Sequence, residues 1–504
     1  MSGPRWGFQT MTRMKTAALL VASTMLAGSA HASIVFNTSD LVVSVEGNGV
    51  QGAASGSYTD NQAAPLSLFE FSHNGTSSGA YVASERLPQA SSGSNSAVSG
   101  EYGSQSEGAI QLSGDGKSLT IMGYGVNAQN FNKDPTAYGT LTTDPTKSTA
   151  LGQSGSLQGQ GYIAVPRVVA EIDGNGKVDS STALYGIFNG NNPRSVYSAN
   201  GSTFYVSGQG NSPDATGGVF YAAKGASSSV AITGLDTNTM TSSQDTRFVT
   251  VVNGQLYVSV DSKEGKGSNR DFVATLGSAG SLPTSLANGG NGPAQISGFG
   301  NSGGTGKLTI TTTNTNGINA VGSEVNLSPE NFFFANASTL YVADSGMPKN
   351  DSVTNDTGSP TPSTLGDGGL QKWSLSSKGK WSLDYTLSAG LGLVDNTAAS
   401  GTTGLLGLTG KVDGSNVELF ATNYTVGDTD PTFLYGITDL LSATTGPSGE
   451  HFTQLAAAPT DSNFKGVSFA PSGATVPEPE TYALMIIGVG LAGAAMRRRR
   501  LLAA

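Results

Sequence analysis

The sequence predicts an all-β protein, a β-propeller of six blades, with seven the alternative if a long insertion hides one. Three observations carry that expectation. Short apolar runs recur along the whole body between glycine-rich turns, the pattern of many short strands. One hairpin unit keeps returning at intervals wide enough for two further strands, which reads as radial repetition of four-stranded sheets. The two ends of the body carry complementary parts of one more sheet, and sharing it removes the open edge.

The repeated unit is an apolar strand, a tight turn and a second apolar strand. It reads GAIQLSGDGKSLTIMGYG from Gly108, RSVYSANGSTFYVSGQG from Arg194 and RFVTVVNGQLYVSV from Arg247. It returns as NFFFANASTLYVADSG from Asn331 and GLLGLTGKVDGSNVELFATN from Gly404. Asp115-Gly116, Asn200-Gly201, Asn253-Gly254 and Asp413-Gly414 supply residues that tolerate the positive φ of two-residue hairpins. Asn336-Ala337 is a weaker turn. Further strands follow the hairpins, such as GGVFYAAKG from Gly217, GGLQKWSL from Gly368 and TFLYGITDLL from Thr432.

The ends complete the count. FKGVSFAP from Phe464 is a first strand with no hairpin partner after it. LVVSVEG from Leu41, PLSLFEFSHNG from Pro65 and AYVASERLP from Ala80 read as strands two, three and four with no first strand before them. The expectation is that residues 466–470 pair with residues 41–45. LYVADSG from Leu340, followed by GGLQKWSL from Gly368, resembles a blade of the NHL type, with an insertion from Met347 to Asp367 between its halves. The body as a whole resembles secreted bacterial propeller proteins, a likeness that implies architecture and location and no activity.

The chain closes on VPEPETYALMIIGVGLAGAAMRRRR from Val476. Residues 482–496 carry no charge. As a helix they would span roughly 22 Å, short of a ~30 Å hydrocarbon core. Arg497, Arg498, Arg499 and Arg500 form a positive stop that belongs on the cytoplasmic side. Pro477 and Pro479 break any helix entering from the body. Val476, Pro477, Glu478 and Pro479, the short apolar segment and the arginine cluster together resemble the PEP-CTERM sorting signal of Gram-negative bacteria. The resemblance implies recognition and cleavage by a membrane exosortase, a membrane contact only through the tail before cleavage, and a final place in the medium, on the cell surface or in an extracellular matrix or biofilm.

The other end agrees. Arg13 and Lys15 precede the apolar run AALLVASTMLA from Ala17, and Ala30 and Ala32 have the small-x-small arrangement before Ser33. This reads as a signal peptide for the Sec translocon, cut between Ala32 and Ser33. Residues 1–32 are thus a signal peptide, 33–471 the propeller and 472–504 the sorting signal.

Composition narrows the chemistry. The chain has 504 residues, 70 of them glycine, only 12% charged, and no cysteine. Cysteine avoidance suits an oxidising compartment and removes thiol catalysis and thiolate metal sites. Processing strips seven basic residues and at most two acids, which takes the net charge from -10 to between -15 and -17. Nucleic acid, whose backbone needs a basic face, is therefore not an expected partner.

Discrete catalytic signatures are weak. The histidines left in the body, His73 and His451, lie far apart, with no nucleophile elbow in the sequence. DGNGKVD from Asp173 lacks the ligand spacing of a calcium loop and reads as a hairpin turn. The heads of the first strands are more informative. They bring Glu107, Asn192, Arg194, Asp245, Arg247, Glu330, Asn331 and Lys465 toward one mouth of the channel. Such a ring is either a self-neutralising network or a ligand site, with calcium the cofactor its oxygens would suit. Two functions follow: a non-enzymatic binding or matrix protein for extracellular polysaccharide, or a secreted, lactonase-like metal-dependent hydrolase with its site in the channel. Glu107 and Glu330 are the expected counter-charges of Arg194 and Arg247.

Overall fold

A computed structural model describes residues 34–49, 58–139, 149–211, 214–233, 245–262, 270–290, 292–300, 307–309, 324–346, 368–394 and 398–473. The expected signal peptide, the 347–367 insertion and residues 474–504 of the expected sorting signal, with its 482–496 segment, lie outside them. Among the described residues no helix is long and apolar enough to cross a membrane.

The protein is all-β with a propeller arrangement. Four blades stand as separate four-stranded antiparallel sheets. The first holds Pro193–Ser198, Thr203–Gly208, Gly218–Ala223 and Val230–Ala231. The second holds Thr246–Val252, Gln255–Ser262, Arg270–Leu276 and Ala294–Gln295. The third holds Pro329–Asn336, Thr339–Asp344, Gly369–Leu375 and Trp381–Leu387. The fourth holds Thr402–Asp413, Asn416–Thr425, Phe433–Leu440 and Thr453–Ala457. In each, successive strands are neighbours, as a meander of hairpins requires. A separate pair, Lys307–Thr309 with Glu324–Asn326, follows the second blade.

The remaining strands form one nine-stranded sheet where the sequence predicts separate blades. Within it Ser462–Phe469 pairs with Leu41–Gly47, which pairs with Ala63–Phe71, which pairs with Tyr81–Arg86. Ile110–Leu112, Ser118–Tyr124, Arg167–Asp173 and Val178–Leu184 follow one another in the same way. The three-residue strand Ser99–Glu101 joins the two groups by pairing with Ala63–Pro65 on one side and Tyr124 on the other. The junction between the ends sets Leu41 opposite Phe469, Val42 opposite Ser468 and Val43 opposite Val467.

The turns differ in detail from their expected type. Asn253 and Gly254 both have positive φ, 49° and 75°, as a two-residue turn of the primed kind demands. At the Asp115-Gly116 and Asn200-Gly201 turns only the glycine is left-handed, at 69° and 74°. The 402–457 blade turns on Gly414-Ser415 between the paired Asp413 and Asn416. DGNGKVD is a hairpin turn: Asp173 Oδ1 accepts from the backbone N–H of Asn175 and Lys177, both at 2.9 Å.

First strands pack against first strands. Residues 110–112 pack on 193–198, these on 246–252, these on 329–336, these on 402–413, these on 462–469, and these on 110–112 again. Apolar clusters fill the space between adjacent sheets. One joins Tyr205, Val258, Phe272, Phe332, Leu340 and Trp373 across three blades.

Candidate functional site

The inner strands hold their heads in place through a repeated clasp. A hydroxyl on the second strand of one sheet donates to a backbone carbonyl on the first strand of the next. Ser44 donates to Gly108 O at 2.5 Å, Thr120 to Val196 O at 2.8 Å, Ser207 to Arg247 O at 2.5 Å and Ser259 to Glu330 O at 3.0 Å. Thr422 donates to Lys465 O. Four of these five carbonyls belong to a predicted ring residue or its direct neighbour. In the 329–387 blade the matching position is Ala343, and there Thr403 of the following strand donates back to Ser345 O at 2.9 Å.

The ring assembles around a small cavity. Glu107, Arg194, Arg247, Glu330, Asn331 and Lys465 line it together with Ser106, Ala109, Phe248, Leu406, Gly407 and Gly466. Its volume is about 20 Å³, room for a single water and far too little for a sugar ring. Asn192 and Asp245 stand behind this lining. Asn192 donates to Glu107 and, at 3.2 Å, to the hydroxyl of Tyr124. Asp245 bridges the two arginines, pairing with Arg194 and, at 3.3 Å, with Arg247 Nε.

Arg247 is the hub. Its guanidinium meets Asp245, Glu330 Oε2 at 3.2 Å and Asp261 Oδ2 at 3.5 Å, and its side chain is only 7% exposed. Burial alone would lower its pKa, but Asp245, Glu330 and Asp261 hold it above the ordinary arginine value. Arg194 goes the other way: burial and the neighbouring Arg247 charge lower it, against the pull of Asp245. Burial pushes the Glu330 carboxyl up to about 8, with Arg247 opposing. Glu330 Oε1 is buried and has no hydrogen-bond partner.

A second group surrounds Glu107. Its carboxyl accepts from Tyr124 and Asn192 and, at 3.2 Å, from the backbone N–H of Glu101. Burial raises its pKa and those hydrogen bonds lower it, leaving it above the usual range. Burial also raises Glu46, opposed mainly by Lys465, whose Nζ lies 3.5 Å from Glu46 Oε2. Lys465 further donates to Ser104 O. Fully buried Arg167 donates to the carbonyls of Ser154, Val165 and Phe188 at 2.8–2.9 Å, with its guanidinium 4.6 Å from the Tyr124 ring centre. Among the described residues, no group of three or more His, Asp or Glu is placed to hold a metal ion.

The expected counter-charges are thus partly corrected. Glu330 does meet Arg247, but Glu107 pairs with neither arginine and Arg194 rests on Asp245. The partners missed in the sequence follow the clasp hydroxyl by two residues. Ser44 precedes Glu46, Ser207 precedes Gln209 and Ser259 precedes Asp261, and these meet Lys465, Arg194 and Arg247 of the same sheet. A serine, one spacer and an acid or amide at the end of a second strand is therefore a readable signal. His73 meets Glu418 at 3.2 Å and packs edge-on between Phe420 and Phe469, and exposed His451 touches only Gly449 O.

Beside the ring, at the end where Ser462–Phe469 begins, lies an open pocket of about 630 Å³. Tyr58, Asp60, Tyr102, Asp430, Pro459 and Asp461 are among its walls, and no Lys or Arg is among its described lining residues. The Tyr58 and Tyr102 ring centres are 6.2 Å apart.

All-β blades around a ring of inner strands define a β-propeller body. Residues 475–500 match the PEP-CTERM protein-sorting motif, the mark of an exported bacterial protein processed by exosortase and sorted to the surface or beyond. No curated protein matches the chain in sequence. Among solved structures, it is similar to an oligogalacturonate lyase in complex with manganese, at 8% identity and a TM-score of 0.33 over 75% of each chain. The β-propeller domain of the Trilobed protease from Pyrococcus furiosus is similar at 8% identity and a TM-score of 0.26, over 77% of this chain and 97% of that one. An α-L-arabinofuranosidase from Lactobacillus brevis is similar at 10% identity and a TM-score of 0.28, over 52% of this chain and 71% of that one. Likenesses of this size carry no argument about activity.

Proposed function

We propose that the mature chain is a six-bladed extracellular or cell-surface propeller that works by binding matrix polysaccharide and not by catalysis. The blade count rests on the closed succession of first strands, in which the nine-stranded sheet contributes two blades bridged by Ser99–Glu101. The binding role rests on one observation: the predicted ring spends its charges on itself around about 20 Å³ of space. The ring then acts as the hub of the fold, and ligand is left to the open pocket. Carboxylates there accept hydroxyl hydrogen bonds, tyrosines cover sugar C–H faces, and the three lining carboxylates, Asp60, Asp430 and Asp461, repel acidic groups and so favour neutral over uronic sugars.

Binding of neutral and uronic exopolysaccharides to the wild type and to Tyr58→Ala tests this. The expected result is neutral-sugar binding that weakens at least tenfold in the variant. Uronic-sugar binding untouched by the variant would overturn it. The metal-dependent hydrolase remains the second reading, favoured by the unpartnered Glu330 Oε1, which a cation would satisfy. Saturable calcium heat in calorimetry, lost in Glu107→Ala, would move the assignment there.

A further inference from the structure

Away from the ring, a second buried constellation joins the 329–387 and 402–457 blades. Lys372 sits mid-strand with Tyr341 and Tyr385 directly beside it on the flanking strands. Its Nζ lies 2.8 Å from Asp439 Oδ2, and the two side chains are 1% and 0% exposed. Lys372 also donates to Leu440 O at 2.7 Å and to the Tyr385 hydroxyl at 3.1 Å. The hydroxyls of Tyr385, at 2.6 Å, and of Tyr341 donate to the two different oxygens of Asp439. Leu387, Val417, Leu419 and Ile437 make the surroundings apolar.

The last member is Glu450, whose carboxyl lies against that of Asp439. Glu450 Oε2 is buried without a hydrogen-bond partner, and burial, then the Asp439 carboxylate, push the group up to about 7. A proton carrier therefore touches the carboxyl that faces the amine.

We infer that Lys372 and Asp439 form a covalent side-chain amide that ties the two blades together. The site favours it physically. The step begins when one proton passes from the ammonium to the carboxylate across the 2.8 Å contact, which leaves an amine beside a carboxylic acid. The Nζ lone pair then attacks Asp439 Cγ, and the two tyrosine hydroxyls stabilise the oxyanion that develops. Protonated Glu450 delivers its proton to the departing hydroxyl, and the resulting carboxylate takes back the one that the nitrogen loses. One C–N bond forms, one C–O bond breaks, one water leaves, and no oxidant or cofactor is consumed. The dry surroundings oppose the return reaction. An exported chain without cysteine gains by this route the cross-link that a disulfide would otherwise supply.

Denaturing mass spectrometry of the full exported product, after its ends are mapped, tests the inference. The wild type should be lighter by one water, and a digest should contain one branched peptide linking Lys372 to Asp439. Glu450→Gln, at the half-buried margin, should have the full mass, as should Lys372→Arg. A wild type of full mass is a plain ion pair and overturns the proposal. Undiminished cross-linking in Glu450→Gln overturns the role given to Glu450.

Discussion

At the scale of single residues, the stakes lie in Arg247 and its carboxylates. Arg247→Ala leaves Asp245, Asp261 and Glu330 buried around a lost cation. The expected cost is about 3–5 kcal/mol, the range for breaking a buried pair, read by chemical denaturation. Glu330 adds a pH signature. Its pKa in the folded protein, about 8, is above its unfolded value, so its contribution is full below the unfolded pKa and is lost as pH rises through the folded one. Stability should therefore fall between about pH 5 and pH 8, and Glu330→Gln should flatten that slope. An unchanged slope in the variant would show that other groups set it.

At the scale of strands, the clasps and the glycines decide how closely the blades approach. Ser259→Ala removes the donor to a buried carbonyl and should cost about 1–3 kcal/mol. A Cβ on Gly466 would lie 2.4 Å from the backbone nitrogen of Ile110, so Gly466→Ala forces two inner strands apart. About 1–3 kcal/mol is expected from such overpacking, and a neutral melt for either variant would contradict the packing described. Much of this level was legible in the sequence. Strand period and turn residues marked the hairpins, and the surplus strands at both ends marked their pairing. The ring residues were legible because each heads a first strand at a similar place in its repeat. Their partners were not, because Glu46, Gln209 and Asp261 sit on second strands, and pairing within a sheet brings them inward only once register is known. Ser99–Glu101 was illegible for a plainer reason: three small or polar residues carry no periodic signal.

At the scale of the whole molecule, one strand joins the beginning of the body to its end. Removing residues 462–469 exposes the edges of Leu41–Gly47 and of the inner ring, and should cost on the order of the whole folding free energy, 5–15 kcal/mol. On the proposed reading the ring holds the fold and the outer pocket holds the ligand. A paired comparison of Arg194→Ala and Tyr58→Ala, each followed by thermal melting and by polysaccharide binding, separates the two roles. Arg194→Ala should lose about 1–3 kcal/mol of stability, because Asp245 keeps only one of its two cations, and should bind polysaccharide as the wild type does. Tyr58→Ala should melt like the wild type and lose binding. The reverse pattern, an Arg194→Ala protein of unchanged stability that no longer binds, would place the ligand in the channel and contradict the account.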